Sequence, residues 1–258
     1  MSRATRYRGT ALAIAWRQLH NLVRNPALFL PPLLMPIFFF TAFAGGLSAI
    51  ADAPNFGYPD YDNFQFVFVL LQSAAFGGVF TGFAIAADFE SGFGRRLLLA
   101  SRDRTAMIAG YAIVALTRAA FTFAMLFAIA LAVGMPVAAD AVELTGLIGL
   151  AFVFGTAGLM LSAGVALRFR SLQAGPLMQV PVFIALMTAP VFVPIELLSG
   201  WVEAVASVNP VTPLLEAGRG LIISDPEKVL FAFAVAIGLA ALLAVFAVRG
   251  LRRAEVAG

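Results

Sequence analysis

The chain contains no cysteine and a single histidine, His20. The first absence excludes disulfides, thiolate nucleophiles and cysteine metal sites, and one imidazole excludes a clustered-histidine zinc or copper centre. Charge is also scarce: 12% of the 258 residues are Asp, Glu, Lys or Arg, against 61% hydrophobic residues. A soluble domain carries about 25% charged residues, so this composition selects a membrane protein.

Six mainly apolar runs lie near 27–50, 64–87, 106–133, 144–167, 174–194 and 229–249. Each approaches or exceeds the roughly 20 residues that a helix needs to cross hydrocarbon. The gaps between them are sorted by charge. Basic gaps are the N-terminus (Arg3, Arg6, Arg8, Arg17, Arg24), 88–105 (Arg95, Arg96, Arg102, Arg104), 168–173 (Arg168, Arg170) and the tail (Arg249, Arg252, Arg253). The alternating gaps carry Asp52, Asp60 and Asp62, then Asp140 and Glu143, then Glu196, Glu203, Glu216, Asp225 and Glu227 against Arg219 and Lys228. Because basic residues stay cytoplasmic, both termini are expected on the cytoplasmic side of a multi-pass protein of the plasma or inner membrane. The net charge of +3 is then topological and calls for no nucleic-acid partner. Ala49-Ile50-Ala51 and Ala51-Asp52-Ala53 fit a signal-peptidase site. The polar stretch 1–26 and the apolar run 27–50 are too long for a signal peptide, whose core is about 7–15 residues, so the first run is read as a span.

Before that span, Leu12, Ala15, Trp16, Leu19, Leu22 and Val23 recur at helical spacing, with Arg17, Gln18, His20, Asn21 and Arg24 on the other face. This pattern predicts an amphipathic interfacial helix ended by Asn25-Pro26. Trp16 suits the interface, and Arg17 and Arg24 suit anionic lipid or an acidic cytoplasmic partner.

Polar groups within the spans are few. Arg118, beside Thr117 and near Thr122, is a poor proton relay because it stays protonated. It reads as a buried structural partner, a snorkelling cation or a contact for an anionic substrate. Gln72, Ser73 and Thr81 in the second span, and Gln173, Gln179 and Thr188 near the fifth, suit helix contacts or a substrate path. Phe76, Phe80 and Phe83 form a stripe that lipid, a neighbouring helix or an apolar substrate would cover. Gly155, Gly158 and Ser162 offer a close-packing surface, and Pro176, Pro181, Pro190 and Pro194 predict a kinked or broken fifth span. Paired carboxylates, a histidine cluster and a nucleophile-base set are all missing at membrane depth, which argues against an intramembrane enzyme. A non-transport scaffold remains an alternative.

The segment 194–228 is too apolar for an exposed loop and too short to cross twice, so it predicts a pair of short re-entrant helices broken at Asn209-Pro210. Its residues carry a family likeness. Val191-Phe192-Val193-Pro194-Ile195-Glu196, then Trp201, then Asn209-Pro210-Val211-Thr212-Pro213-Leu214-Leu215-Glu216-Ala217-Gly218-Arg219 resemble the signature of type-2 ABC exporter permeases. The likeness extends over nearly the whole chain and is nearest to the daunorubicin-resistance-like branch of multidrug and lipid exporters.

The resemblance implies an all-α fold with six transmembrane helices, an N-terminal interfacial helix (1–26), spans over 27–249, a cytoplasmic coupling segment (88–105), an outer re-entrant segment (194–228) and a cytoplasmic tail (250–258). It implies that Glu90, Gly92, Arg95, Arg96, Leu97, Leu98, Leu99 and Arg102 seat in a groove of an ATPase. Phe93 and Ala100 stand where the family often has Thr and Pro. It also implies an outer gate around Glu196, Asn209, Pro210, Glu216 and Arg219, with Glu216 and Arg219 at pairing distance along a helix. The substrate path is placed at Gln72, Phe76, Phe80, Phe83, Arg118 and Gln179. No G-x-x-x-x-G-K-[ST] phosphate loop occurs, so ATP and Mg belong to a separate ATPase, present in two copies. A second permease, identical or related, completes the pathway. The function implied is ATP-driven export of a hydrophobic or amphiphilic drug, antibiotic or lipid by alternating access. Export of a polysaccharide or lipid-linked glycan is the alternative.

Overall fold

The computed structural model describes residues 3–100 and 105–256, with side chains except at 3, 26–32, 100 and 253–256. Arg102 and Arg104 of the coupling segment therefore lie outside the described residues. Every regular element among those described is helical. Four helices are long and apolar enough to cross a membrane, over Tyr61–Glu90, Thr105–Ala132, Ala141–Phe169 and Val229–Arg252. The chain is thus a multi-pass membrane protein.

Helix α1 (Arg3–Arg24) is followed at Asn25-Pro26 by α2 (Pro26–Gly46), where a proline at the first helical position loses no hydrogen bond. The periodicity of α1 is divided between two partners. Ala11, Ile14, Ala15 and Leu22 are buried against the bundle, whereas Leu12, Trp16 and Val23 are exposed. The expected single apolar face is therefore two adjoining stripes, one buried against the bundle (Ala11, Ile14, Ala15, Leu22) and one exposed (Leu12, Trp16, Val23).

Helix α3 (Tyr61–Glu90) is the axis of the bundle and is buried along most of its length. It is followed by the short α4 (Phe93–Ala100) and by α5 (Thr105–Ala132). Helix α6 (Ala141–Phe169) begins with a capping box, in which the Asp140 carboxylate accepts from the Val142 and Glu143 amides at 2.8 Å and Glu143 returns the contact to the Asp140 amide. Helices α3 and α6 meet at backbone distance. A Cβ on Gly155 would lie 2.9 Å from the Ala74 carbonyl oxygen and one on Gly158 2.5 Å from that of Ala75. Ser162 donates across the seam to the Gly78 carbonyl at 3.1 Å. The small-residue surface read from the sequence is this contact.

The fifth apolar run departs from its expected extent. Helix α7 (Gly175–Met187) has 13 residues, about 20 Å of rise against about 30 Å of hydrocarbon, and 188–194 is not helical. Pro190 and Pro194 supply no amide donors and disfavour helix in the residues before them. The chain continues through a turn at Ile195–Leu197 into α8 (Trp201–Val208) and α9 (Thr212–Ile222), the expected pair of short helices, and closes with α10 (Val229–Val256) packed on α6.

Substituting Gly158→Val should destabilise the bundle by about 2 kcal/mol through overpacking against immobile backbone. Gly238→Ala, in open space on α10, should be neutral or mildly stabilising. Thermal unfolding of both variants in detergent checks the contrast.

Candidate functional site

The two ends of the bundle differ in charge, as the gap sequences require. At the basic end α1, α3, α4 and α5 meet on one carboxylate. Asp88, 7% exposed near the end of α3, accepts hydrogen bonds from Arg17, from Gln18 at 2.8 Å and from the Tyr111 hydroxyl, and it forms an ion pair with Arg17. The Arg17 guanidinium also lies 3.8 Å above the Phe93 ring at the start of α4. Charge-assisted bonds in a partly dry site are among the stronger local contacts. Helices α1, α3, α4 and α5 are therefore joined through two side chains, Arg17 and Asp88.

A second carboxylate holds the neighbouring loop. Glu90, the last residue of α3, accepts from the Ser171 hydroxyl at 2.7 Å and from the Leu172 amide at 2.8 Å. Gly92 follows at φ +74°, where a side chain would be strained, and lets α4 fold back. On α4, Leu98 is buried in the core and Leu97 is half-buried against it, while Arg95, Arg96 and Leu99 face outward, Leu99 at 77% exposure. Of the three leucines expected to reach a partner, Leu99 alone is wholly presented. Trp16 and Arg24 are exposed on α1, Trp16 stacked on His20 at 5.9 Å, whereas Arg17 turns inward to Asp88.

Beside the Asp88 cluster, a cavity of about 330 Å³ lies between α1, α3 and α5. Phe80, Phe83 and Val114 line it together with Gln18, Asn21 and Arg118. Three of the residues placed on a substrate path from sequence thus meet here. Phe76 touches the group through Phe80, with ring centroids 6.4 Å apart. Gln72 is buried elsewhere on α3, and Gln179 is exposed on α7.

At the acidic end, Arg219 is 1% exposed and does not pair with Glu216. Its guanidinium donates to the Phe64 carbonyl at 3.2 Å and the Pro190 carbonyl at 2.9 Å, and lies 3.3 Å from the Phe64 ring centroid. The expected Glu216–Arg219 pairing is overturned because the Phe64 carbonyl on α3 and the Pro190 carbonyl beyond the end of α7 take the guanidinium donors. Asn209 acts similarly: its amide donates to the Ala185 carbonyl at 2.7 Å and to Thr188 at 2.9 Å, and its oxygen accepts from the Val211 amide. Pro210 beside it is exposed. Glu196, Glu216 and Arg219 share a cavity of about 270 Å³ with Tyr58 and Lys228. Burial pushes the Tyr58 phenol above its ordinary pKa, against the opposing pull of Arg219, so this tyrosine stays neutral.

Asp88, Tyr111 and Phe93 were not singled out as site residues from the sequence. The one available signal was an acid at position 88, at the head of a gap whose net charge is basic. No group of metal-ligating side chains occurs among the described residues. The family model described as ABC-2 type transporter matches residues 10–223, from α1 to the end of α9. No curated protein matches the chain.

Asp88→Ala should strand the Arg17 charge and the buried Tyr111 hydroxyl, at a cost of at least about 2 kcal/mol. Hydrogen exchange in 11–24 should rise sharply while that of α10 stays unchanged.

Proposed function

Since the chain belongs to the ABC-2 type transporter family and is the membrane-spanning permease component of such a transporter, we propose that it exports a hydrophobic or amphiphilic compound, using ATP hydrolysed on a separate subunit. The observation that carries this reading is α4: a short helix, fastened at its base by Phe93 against Arg17 and by Glu90 on the neighbouring loop, that turns Arg95, Arg96 and Leu99 outward. An apolar knob flanked by cations is suited to a groove with an acidic rim, since charge fixes register while apolar contact supplies affinity. A push on α4 would pass directly to α3, α1 and α5 through Asp88, and to the α6–α7 loop through Glu90.

In this reading the basic end is cytoplasmic, both termini lie there, and the membrane is the plasma or inner membrane. Helices α2 and α7, the latter with its irregular extension, complete six crossings, and α8 and α9 dip in from outside. Two permeases, identical or related, work with two ATPase subunits that bind ATP and Mg. ATP-driven closure moves the α4 helices, the permeases shift against each other and the substrate leaves along their interface. Affiliation with the daunorubicin-resistance-like multidrug and lipid branch is the finer reading that the resemblance implies.

The absence of native cysteine permits a clean test of orientation. In intact cells a membrane-impermeant maleimide should label Glu203→Cys directly, and Arg95→Cys only after permeabilisation. The opposite pattern would invert the topology. In vesicles reconstituted with the ATPase, Leu99→Asp should reduce substrate-stimulated ATP hydrolysis at least about tenfold, the loss expected for a buried interfacial anchor of more than about 1.4 kcal/mol. Full coupling in that variant would remove α4 from the interface.

A further inference from the structure

Arg118 sits midway along α5, 13 residues beyond Thr105 at its start. It is the one described cation inside that apolar helix. Its Nε and Nη1 atoms are buried and hydrogen-bonded to nothing, and among the described residues no carboxylate lies within ion-pair distance. Asp88 lines the same cavity, but it is ion-paired with Arg17, and its Oδ2 also accepts from Gln18 and Tyr111. The Arg17 charge neutralises Asp88, which leaves the cavity with one uncompensated positive charge. Thr81 is likewise committed, donating within its own helix to the Gly77 carbonyl at 2.9 Å.

An unpaired guanidinium at membrane depth is costly and is retained where an anion meets it. The surroundings restrict which anion. The cavity holds about 330 Å³, at the low end of the range of about 300–1,000 Å³ for ligand sites. One wall is apolar, from Phe80, Phe83, Ala84 and Val114, and Asn21 and Leu22 of α1 line the cavity as well. A polar headgroup with the first part of an acyl chain fits this division better than a wholly polar ion. Planar guanidinium nitrogens pair well with phosphate oxygens.

We infer that the cavity between α1, α3 and α5 binds the phosphate headgroup of an acidic membrane amphiphile, drawn from the leaflet beside α1, with Arg118 as its counter-ion. Phe80 and Phe83 then pack on the first part of the chain, and α1 closes over the headgroup. The inference needs only a bilayer-embedded chain. Binding is read without the ATPase, so a failure of export leaves it standing, and its own failure leaves export standing.

The purified chain in neutral detergent is titrated with short-chain phosphatidylglycerol, short-chain phosphatidylcholine and inorganic phosphate, with the thermal unfolding midpoint as readout. Phosphatidylglycerol should raise the midpoint at concentrations about tenfold lower than phosphatidylcholine, the selectivity of one charge-assisted contact. Arg118→Gln should abolish that preference, and Arg118→Lys should restore part of it. Without ligand, Arg118→Gln should be at least as stable as the native chain, because it removes an unpaired buried charge. Ala84→Leu, which keeps the arginine and fills the cavity, should lose binding of both lipids. Equal response to the two lipids, or a preference surviving in Arg118→Gln, overturns the inference. A full response to inorganic phosphate alone overturns the amphiphile and assigns a free-anion site.

Discussion

The backbone contact between α3 and α6 is the constraint on which the other features depend. Carbonyls of Ala74 and Ala75 come so near Gly155 and Gly158 that no side chain fits between the helices. Association within a bilayer gains little from the hydrophobic effect, because lipid tails are as apolar as leucine, so close packing and interhelical hydrogen bonds must hold the bundle. With α3 locked to α6, the two ends of α3 become fixed platforms. Asp88 and Glu90 stand at one, and Phe64, whose carbonyl and ring receive Arg219, at the other.

Both platforms solve the problem of polar groups where water is scarce, by opposite means. At the acidic end the shortened α7 leaves carbonyls that a longer helix would have satisfied, and Arg219 and Asn209 reach across to them. The broken helix is thus stabilised by side chains of the 194–228 segment, which ties that segment to the core. At the basic end an acid collects donors from two other helices, and an aromatic ring carries the arginine onward to α4. Tightness at the acidic end and connectivity at the basic end leave α3 as a rigid lever between the two ends of the bundle.

Much of this architecture was legible from the residues. Apolar runs located most of the helices, and the sorting of arginine against aspartate and glutamate separated the two ends. Small residues at 155, 158 and 162 marked the close seam, and Asn209-Pro210 marked the outer break. Pairwise partners were not legible. Glu216 and Arg219 have good helical spacing, yet carbonyls from segments near 64 and 190 take the arginine. Leu97, Leu98 and Leu99 are adjacent and chemically alike, but a helix aims them in three directions and Leu98 meets the core.

By itself the sequence determined that the chain enters a bilayer, which segments are helical and which end of the bundle is basic, because these follow from length, apolarity and local charge. Tertiary structure alone decided which polar groups find one another. Arg17 and Asp88 are 71 residues apart, and Arg219 and Phe64 are 155 apart. No local rule links such positions until packing brings them together. The same packing left Nε and Nη1 of Arg118 with no hydrogen-bond partner among the described residues, a charge whose meaning appears only once the nearby carboxylate of Asp88 is seen to be paired with Arg17.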